Sequence, residues 1–283
     1  MRNFKSLFAG LLLFFVAVVS LVYVAGHFAR IYTDYLTESR VTQYLPDETE
    51  LSQQEKDVAN AVSPAVVFIY GKKEVSAYEP QTQSVRVPGL NIALDLPAGL
   101  EAKQTQEVNA GTGFFVDSDG YILTNRHVVP DDEASYTVVL SDGRRMDAQV
   151  VYRDPDHDIA VIKIPGNGYP TLPLADSSEL KIGQTVLTMG NAYGREQNVV
   201  SSGNITDLRK NIIAEDDFNR QSLTGLIQTS AQLFPGDSGG PTFDMEGKVV
   251  GVNVAVSTGD SHVSFSVPIN DAKDAIDKAV PDE

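Results

Sequence analysis

The 283-residue chain contains no cysteine. That excludes disulfides, thiolate metal sites and a cysteine nucleophile, but it leaves an oxidising compartment open. Basic charge is also in short supply, with 22 Lys and Arg against 38 Asp and Glu. Arg2, Lys5 and Arg30 are the only charged residues before position 31, so the remainder carries 19 basic against 38 acidic side chains, a net −19. Such a surface repels nucleic acid and anionic lipid head groups, so nucleic acid is not expected as a partner, and the acidity reads as a solvated surface. Helical periodicity is sparse beyond residue 64, and no internal repeat is visible. Histidine is rare, with four in the chain, which keeps the search for a catalytic base short. The composition, 42% hydrophobic and 21% charged, is that of a globular chain long enough for one large domain or two small ones.

What is present begins with "LFAGLLLFFVAVVSLVYVAG", Leu7 to Gly26, which holds no charge over 20 positions. At about 1.5 Å per residue a helix of that length crosses a hydrocarbon core of roughly 30 Å. Arg2 and Lys5 before it place residues 1–6 in the cytoplasm and everything after His27 on the far side. A cleaved signal peptide is the competing reading. The apolar run exceeds the usual span of about 7 to 15 residues, and Val24-Ala25-Gly26 is a weak cleavage pattern, so an uncleaved transmembrane anchor is expected. Residues 27–51 are polar, include Pro46, and read as a linker. "SQQE" from Ser52 has capping-box spacing and predicts a short helix through about Asn60, with Pro64 ending it.

From there the chain is built of short β-branched runs, among them "AVVFIY", "GTGFFV", "YILTN", "IAVIKI", "TVLTMG" and "KVVGVNVAV", separated by Asp-Gly or Gly turns. About a dozen strands with almost no helical period predict an all-β sandwich or barrel arrangement. A terminal helix is expected where Asn270 could cap "DAKDAIDKAV", with Ala272, Ala275, Ile276 and Ala279 on one face. Two insertions, residues 71–109 and the charged 207–222, are expected to be loops near the site.

Residues 236–241 read "GDSGGP". Taken alone the string marks a tight turn. For Ser238 to be a nucleophile the chain must supply a base and an acid that orients it. His27 lies at the membrane edge, and His262 reads as an exposed residue at a strand start. His127 ends "GYILTNRHVV", just past an apolar strand, and His157 directly precedes Asp158. Asp154, Asp156 and Asp158 alternate like the start of a calcium loop. The glycine and glutamate such a loop needs at its sixth and twelfth positions are replaced by Ile159 and Pro165, so neither metal nor other cofactor is expected. Ser238 also fits the G-x-S-x-G elbow of α/β-hydrolases, but that elbow requires acid and then histidine downstream within alternating strands and helices. The order His127, Asp158, Ser238 fits the two-barrel serine protease pattern instead.

"TNRHVV", "DIAVIKI" and "PGDSGGP" together resemble the three active-site blocks of trypsin-like (chymotrypsin-fold) serine peptidases. "AVSPAVVFI", "GTGFFVDSDGYILTNRHVV", "LTMGNAYG", "VVSSGNIT" and "IQTSAQLFPGDSGGP" resemble the HtrA, or Deg, branch, over residues 58–270. The resemblance implies a double antiparallel β-barrel, barrel 1 about 62–175 and barrel 2 about 178–268, within a protease domain at 52–283. It implies His127 as general base, Asp158 as its orienting acid, Ser238 as nucleophile, and the backbone N–H groups of Gly236 and Ser238 as the oxyanion hole. It further implies a periplasmic or equivalent location for that domain. Substrates would be unfolded exported proteins or a specific membrane-protein segment, and homotrimers are common in this branch.

Three departures stand out. The branch commonly continues into PDZ domains, whereas 13 residues follow Asn270 here, so no PDZ domain is expected. Asp237 stands where the branch usually has asparagine. It is a regulatory candidate, expected either to meet a basic side chain such as Arg195, Arg209 or Lys210 or to leave the oxyanion loop unformed. Gln232 occupies the position where trypsins carry the acid that selects Lys or Arg, with Leu233 next, which points to a pocket for small or medium aliphatic residues. The rival class is a non-catalytic peptide-binding or chaperone module that holds extended peptide in the same cleft.

Overall fold

The computed structural model describes residues 51–86, 93–192, 198–215, 220–254 and 263–281. The expected anchor at 7–26, the linker except Leu51, and His27, Arg195 and His262 lie outside those residues. Among the described residues no helix is long and apolar enough to cross a membrane.

Helix α1 (Gln53–Val62) starts as its sequence predicts. The Ser52 hydroxyl accepts from the Glu55 N–H at 3.3 Å while the Glu55 carboxylate accepts from the Ser52 N–H at 2.7 Å. These bonds satisfy two of the donors that a helix start leaves open. Pro64 then sits in a 3-10 turn, and the strands begin.

The first barrel comprises β1 (Val66–Arg86), β2 (Ala93–Asp117), β3 (Tyr121–Thr124), β4 (Ser135–Val139), β5 (Arg145–Arg153) and β6 (Ala160–Lys163), closed in the order β1-β2-β3-β6-β5-β4. The second comprises β7 (Thr185–Gly190), β8 (Val199–Glu215), β9 (Arg220–Thr229), β10 (Pro241–Phe243), β11 (Val249–Val254) and β12 (Ser264–Pro268), closed as β10-β11-β12-β9-β8-β7. All pairings between neighbouring strands are antiparallel, and closure leaves no open edge around either barrel, beyond which β1 and β2 continue as a two-stranded ribbon.

The uninterrupted apolar runs have a physical cause in this arrangement. In β6, Ala160 and Ile162 point into the first barrel with Val67, Ile69 and Phe115, while Val161 faces a second cluster shared with β7, β10, β11 and both helices. Phe114 and Phe115 divide in the same way. A strand buried on both faces cannot alternate polar with apolar residues, so it reads as a continuous run.

Two expectations need correction. Helix α2 (Ile269–Ala279) buries Ala272, Ala275 and Ala279 as its pattern predicts, but Asn270 does not cap it: the residue before the helix is Pro268, and no side chain caps that end. Asn270 lies in the first turn and bonds outward, donating to Asp176 at 2.7 Å and accepting from the Ser177 N–H at 3.3 Å. The tie to a distant turn prevails over a local cap. The two insertions are not loops either. Residues 71–86 pair with 93–109 as an extension of β1 and β2, with one register shift at Gly71/Lys72, and β8 pairs with β9 out to Glu215 and Arg220. Main-chain pairing satisfies backbone donors and acceptors that a long irregular loop would leave to water.

Candidate active site

His127 occupies a 3-10 turn, Arg126–Val128, that follows the buried end of β3. Its partner comes from the turn entering β6. His127 Nδ1 lies 2.6 Å from Asp158 Oδ2, and the His127 main-chain N–H donates to Asp158 Oδ1 at 3.1 Å. A carboxylate only accepts, so Nδ1 carries the proton and Nε2 is left as the basic nitrogen. Asp158 is 1% exposed, whereas the His127 side chain is 41% exposed, so the acid is sealed while the imidazole remains accessible. Two further groups fix the acid's turn. Asn125 Nδ2 donates to the Asp158 carbonyl at 2.8 Å, and Arg126 Nη1 donates to the carbonyls of Asp154 and Pro155 at 2.9 and 3.0 Å. Asp154 Oδ1 accepts from the N–H groups of Asp156 and His157 and lies 3.2 Å from His157 Nδ1, which makes this segment a self-capped polar turn.

Ser238 sits on the second barrel between two turns. Asp237 N–H donates to the Phe234 carbonyl at 2.9 Å, with Pro235 and Gly236 at the corners and Gly236 at φ 101°. Proline at the first corner and a positive φ at the second are the marks of a type II turn, which glycine alone adopts without strain. Gly240 N–H then donates to the Asp237 carbonyl at 3.0 Å, with Gly239 at φ 86°. The nucleophile candidate thus stands at a corner between two glycines in the left-handed region. The Gly236 carbonyl accepts from the Thr112 hydroxyl at 2.7 Å. Ser238 O accepts from the Thr112 N–H at 2.8 Å, and Gly239 N–H donates to the Asn253 carbonyl at 3.0 Å. Asn253 in turn donates to the Met189 carbonyl and accepts from Thr242. β2, β7, β10 and β11 therefore all converge on this loop.

Asp237 is 3% exposed. Its Oδ2 accepts from the Phe234 N–H at 2.8 Å, while its Oδ1 is buried with no hydrogen-bond partner among the described residues. Burial pushes its carboxyl up to about 7 from an ordinary value of 3.8, and the Phe234 N–H works in the opposite direction. The expected basic partner is not found among the described residues, since Arg209 and Lys210 are exposed on β8 and Arg195 lies outside them. Among the described residues the Phe234–Asp237 turn is formed with no such partner. Gln232 and Leu233 are half-buried just ahead of the turn, and the Gln232 carbonyl accepts from the Thr188 hydroxyl at 3.3 Å. Thr112, Asn125 and Asn253 tie these turns to the strands, and the sequence singled out none of them. Their only signal was polarity within or directly after otherwise apolar strands.

The family model described as a trypsin-like peptidase domain matches residues 111–252. A probable periplasmic serine endoprotease, DegP-like, from Chlamydia pneumoniae is 35% identical over 262 residues, covering 87% of this chain and 52% of that protein. A protein of the same description from Halomonas elongata is 32% identical, covering 86% of this chain and 51% of its own length. The chain thus spans about half the length of these curated relatives. Among solved structures, the HtrA-type protease AlgW with a decapeptide superposes with a TM-score of 0.59 at 28% identity, covering 78% of this chain and 66% of that one.

Proposed function

We propose that this chain, which belongs to the trypsin-like peptidase family in its HtrA branch, is a serine endopeptidase that works outside the cytoplasm on exported or membrane proteins. The observation that carries the reading is the His127–Asp158 pair, 2.6 Å apart, with the acid buried and the imidazole partly exposed. In the proposed reaction Ser238 Oγ attacks the scissile carbonyl carbon and passes its proton to His127 Nε2. The carbonyl electron pair moves to oxygen, where the N–H groups of Gly236 and Ser238 receive it. Collapse breaks the C–N bond and His127 returns the proton to the leaving amine. Water then repeats the sequence on the acyl-enzyme and restores the serine. Asp158 keeps the imidazole in one tautomer and stabilises the imidazolium at each transfer. Residues 7–26 would hold the enzyme to the membrane, and peptide-bound HtrA-type structures support a peptide occupant for the cleft.

The test compares the full chain in detergent micelles with Ser238→Ala. The wild type is expected to cleave casein and take a fluorophosphonate label, and the variant to do neither. A wild type that neither cleaves nor labels would favour the peptide-binding module. Extraction of membranes with alkaline carbonate checks the anchor, which requires the chain to stay in the pellet.

A further inference from the structure

Thr112 is fully buried on β2, and each of its polar groups is engaged at the site. Its N–H donates to the Ser238 carbonyl at 2.8 Å. Its hydroxyl lies 2.7 Å from the Gly236 carbonyl and 2.9 Å from the Asn191 N–H, and its own carbonyl accepts from the Thr124 hydroxyl at 2.6 Å. The direction of the hydroxyl bond is settled by counting protons. Asn191 N–H can only donate, so the single hydroxyl proton goes to Gly236.

The flanking glycines allow this approach. A Cβ on Gly111 would lie 2.6 Å from a methyl of Val128, next to His127, and 3.0 Å from the Ser238 carbonyl oxygen. A Cβ on Gly239 would lie 2.1 Å from the Thr112 carbonyl oxygen. β2 is thus wedged between the histidine's turn and the serine's turn.

A type II turn with glycine at its second corner has a close alternative. Rotating the Pro235–Gly236 peptide gives a type I turn, which glycine also tolerates and in which the Gly236 N–H faces elsewhere. Something outside the turn has to select one of the two. We infer that Thr112 is a positioning residue for the oxyanion turn, its hydroxyl clamping the Gly236 carbonyl of the second barrel to β2 of the first. The inference rests on the proteolytic reading. A space-filling role alone would be met equally well by valine, which has the same shape and β-branching.

Removing the hydroxyl leaves both the Gly236 carbonyl and the Asn191 N–H short of a partner, and fewer molecules then hold the donor in place. Oxyanion donors act on the transition state, so kcat falls while KM holds. For Thr112→Val, kcat should drop about 10- to 100-fold, short of the roughly 10² to 10³ that follows loss of the donor itself. KM should change less than about threefold, and Thr112→Ser should restore kcat although it lacks the methyl group.

The experiment measures kcat and KM on a fluorogenic peptide for the full chain, Thr112→Val and Thr112→Ser, with Thr112→Ala as the alternative deletion should the valine variant fail to fold. Deuterium exchange over residues 230–243 is read in parallel and should accelerate in the valine or alanine variant alone. Unchanged kcat and exchange in the deletion variant, or an equal loss in Thr112→Ser, overturns the inference. An inactive wild type overturns the proteolytic reading instead, and exchange alone then decides whether the hydroxyl holds the turn.

Discussion

Asp237→Asn should stabilise the protein, and the gain should appear only as pH rises. In the native state Asp237 is buried against the Gly190 backbone, with Oδ1 unpartnered among the described residues, and its proton is held to about 7 instead of 3.8. A raised carboxyl means that the native state binds the proton more tightly than the unfolded chain does. Between 3.8 and about 7 the native state therefore carries more protons, so stability declines across that window and the full penalty is present above it. At about 1.4 kcal/mol for each tenfold change in proton affinity, the penalty reaches about 4 kcal/mol. Local opening of the loop caps that figure, because a turn that lets water reach Asp237 relieves the charge before the whole protein unfolds. An asparagine keeps the shape and can accept from the Phe234 N–H, yet it never ionises.

Urea midpoints of wild type and Asp237→Asn should therefore coincide near pH 3 and diverge up to pH 8.5, with the variant more stable by about 2 to 4 kcal/mol at the upper end. The ratio of variant to wild-type kcat/KM should climb over the same range, because an ionised Asp237 loosens the turn that presents the Gly236 N–H. Taking the ratio cancels every group the two proteins share, including His127. Parallel stability curves, or a ratio independent of pH, would refute the argument.

The triad candidates were legible because each is announced by constraints that act within a few residues. Two glycines at positive φ bracket Ser238, and apolar strands deliver His127 and receive Asp158. Thr112 was not legible. It partners Gly236 across 124 positions, and in the string "GTGFFV" it looks like one more β-branched strand residue. Asn270 misled for the complementary reason: the local signal for a cap was present, but a turn 93 positions earlier bonds its side chain. The insertions misled because proline and charge argue for loops, whereas ribbon pairing depends on main-chain groups that composition does not reveal. At Asp237 the departure from the family pattern was visible, but the carboxyl's isolation from every described cation is a property of packing.

Asp158→Asn should lower kcat by about 10⁴-fold with little effect on KM, as expected when the imidazole loses the acceptor that fixes its tautomer; a loss under tenfold would detach Asp158 from the reaction. A peptide library scanned at the residue before the cut should favour Val, Ala or Leu, and a Lys or Arg preference would reject the aliphatic pocket at Gln232 and Leu233. Gly239→Ala provides a sharper test of the loop's packing. An alanine at φ 86° carries about 1 to 2 kcal/mol of left-handed strain wherever it occurs. At Gly239 the new Cβ would also lie 2.1 Å from the Thr112 carbonyl oxygen and 2.3 Å from the Thr124 hydroxyl, so β2 or the serine turn has to move. Gly143, at φ 84° with nothing within 4 Å of its would-be Cβ, isolates the strain from the clash. Gly143→Ala should therefore lose only about 1 to 2 kcal/mol in urea unfolding and keep full activity. Gly239→Ala should lose at least about 2 kcal/mol more and most of its kcat. Equal losses at the two sites would mean that β2 does not press on the serine turn as closely as these distances require.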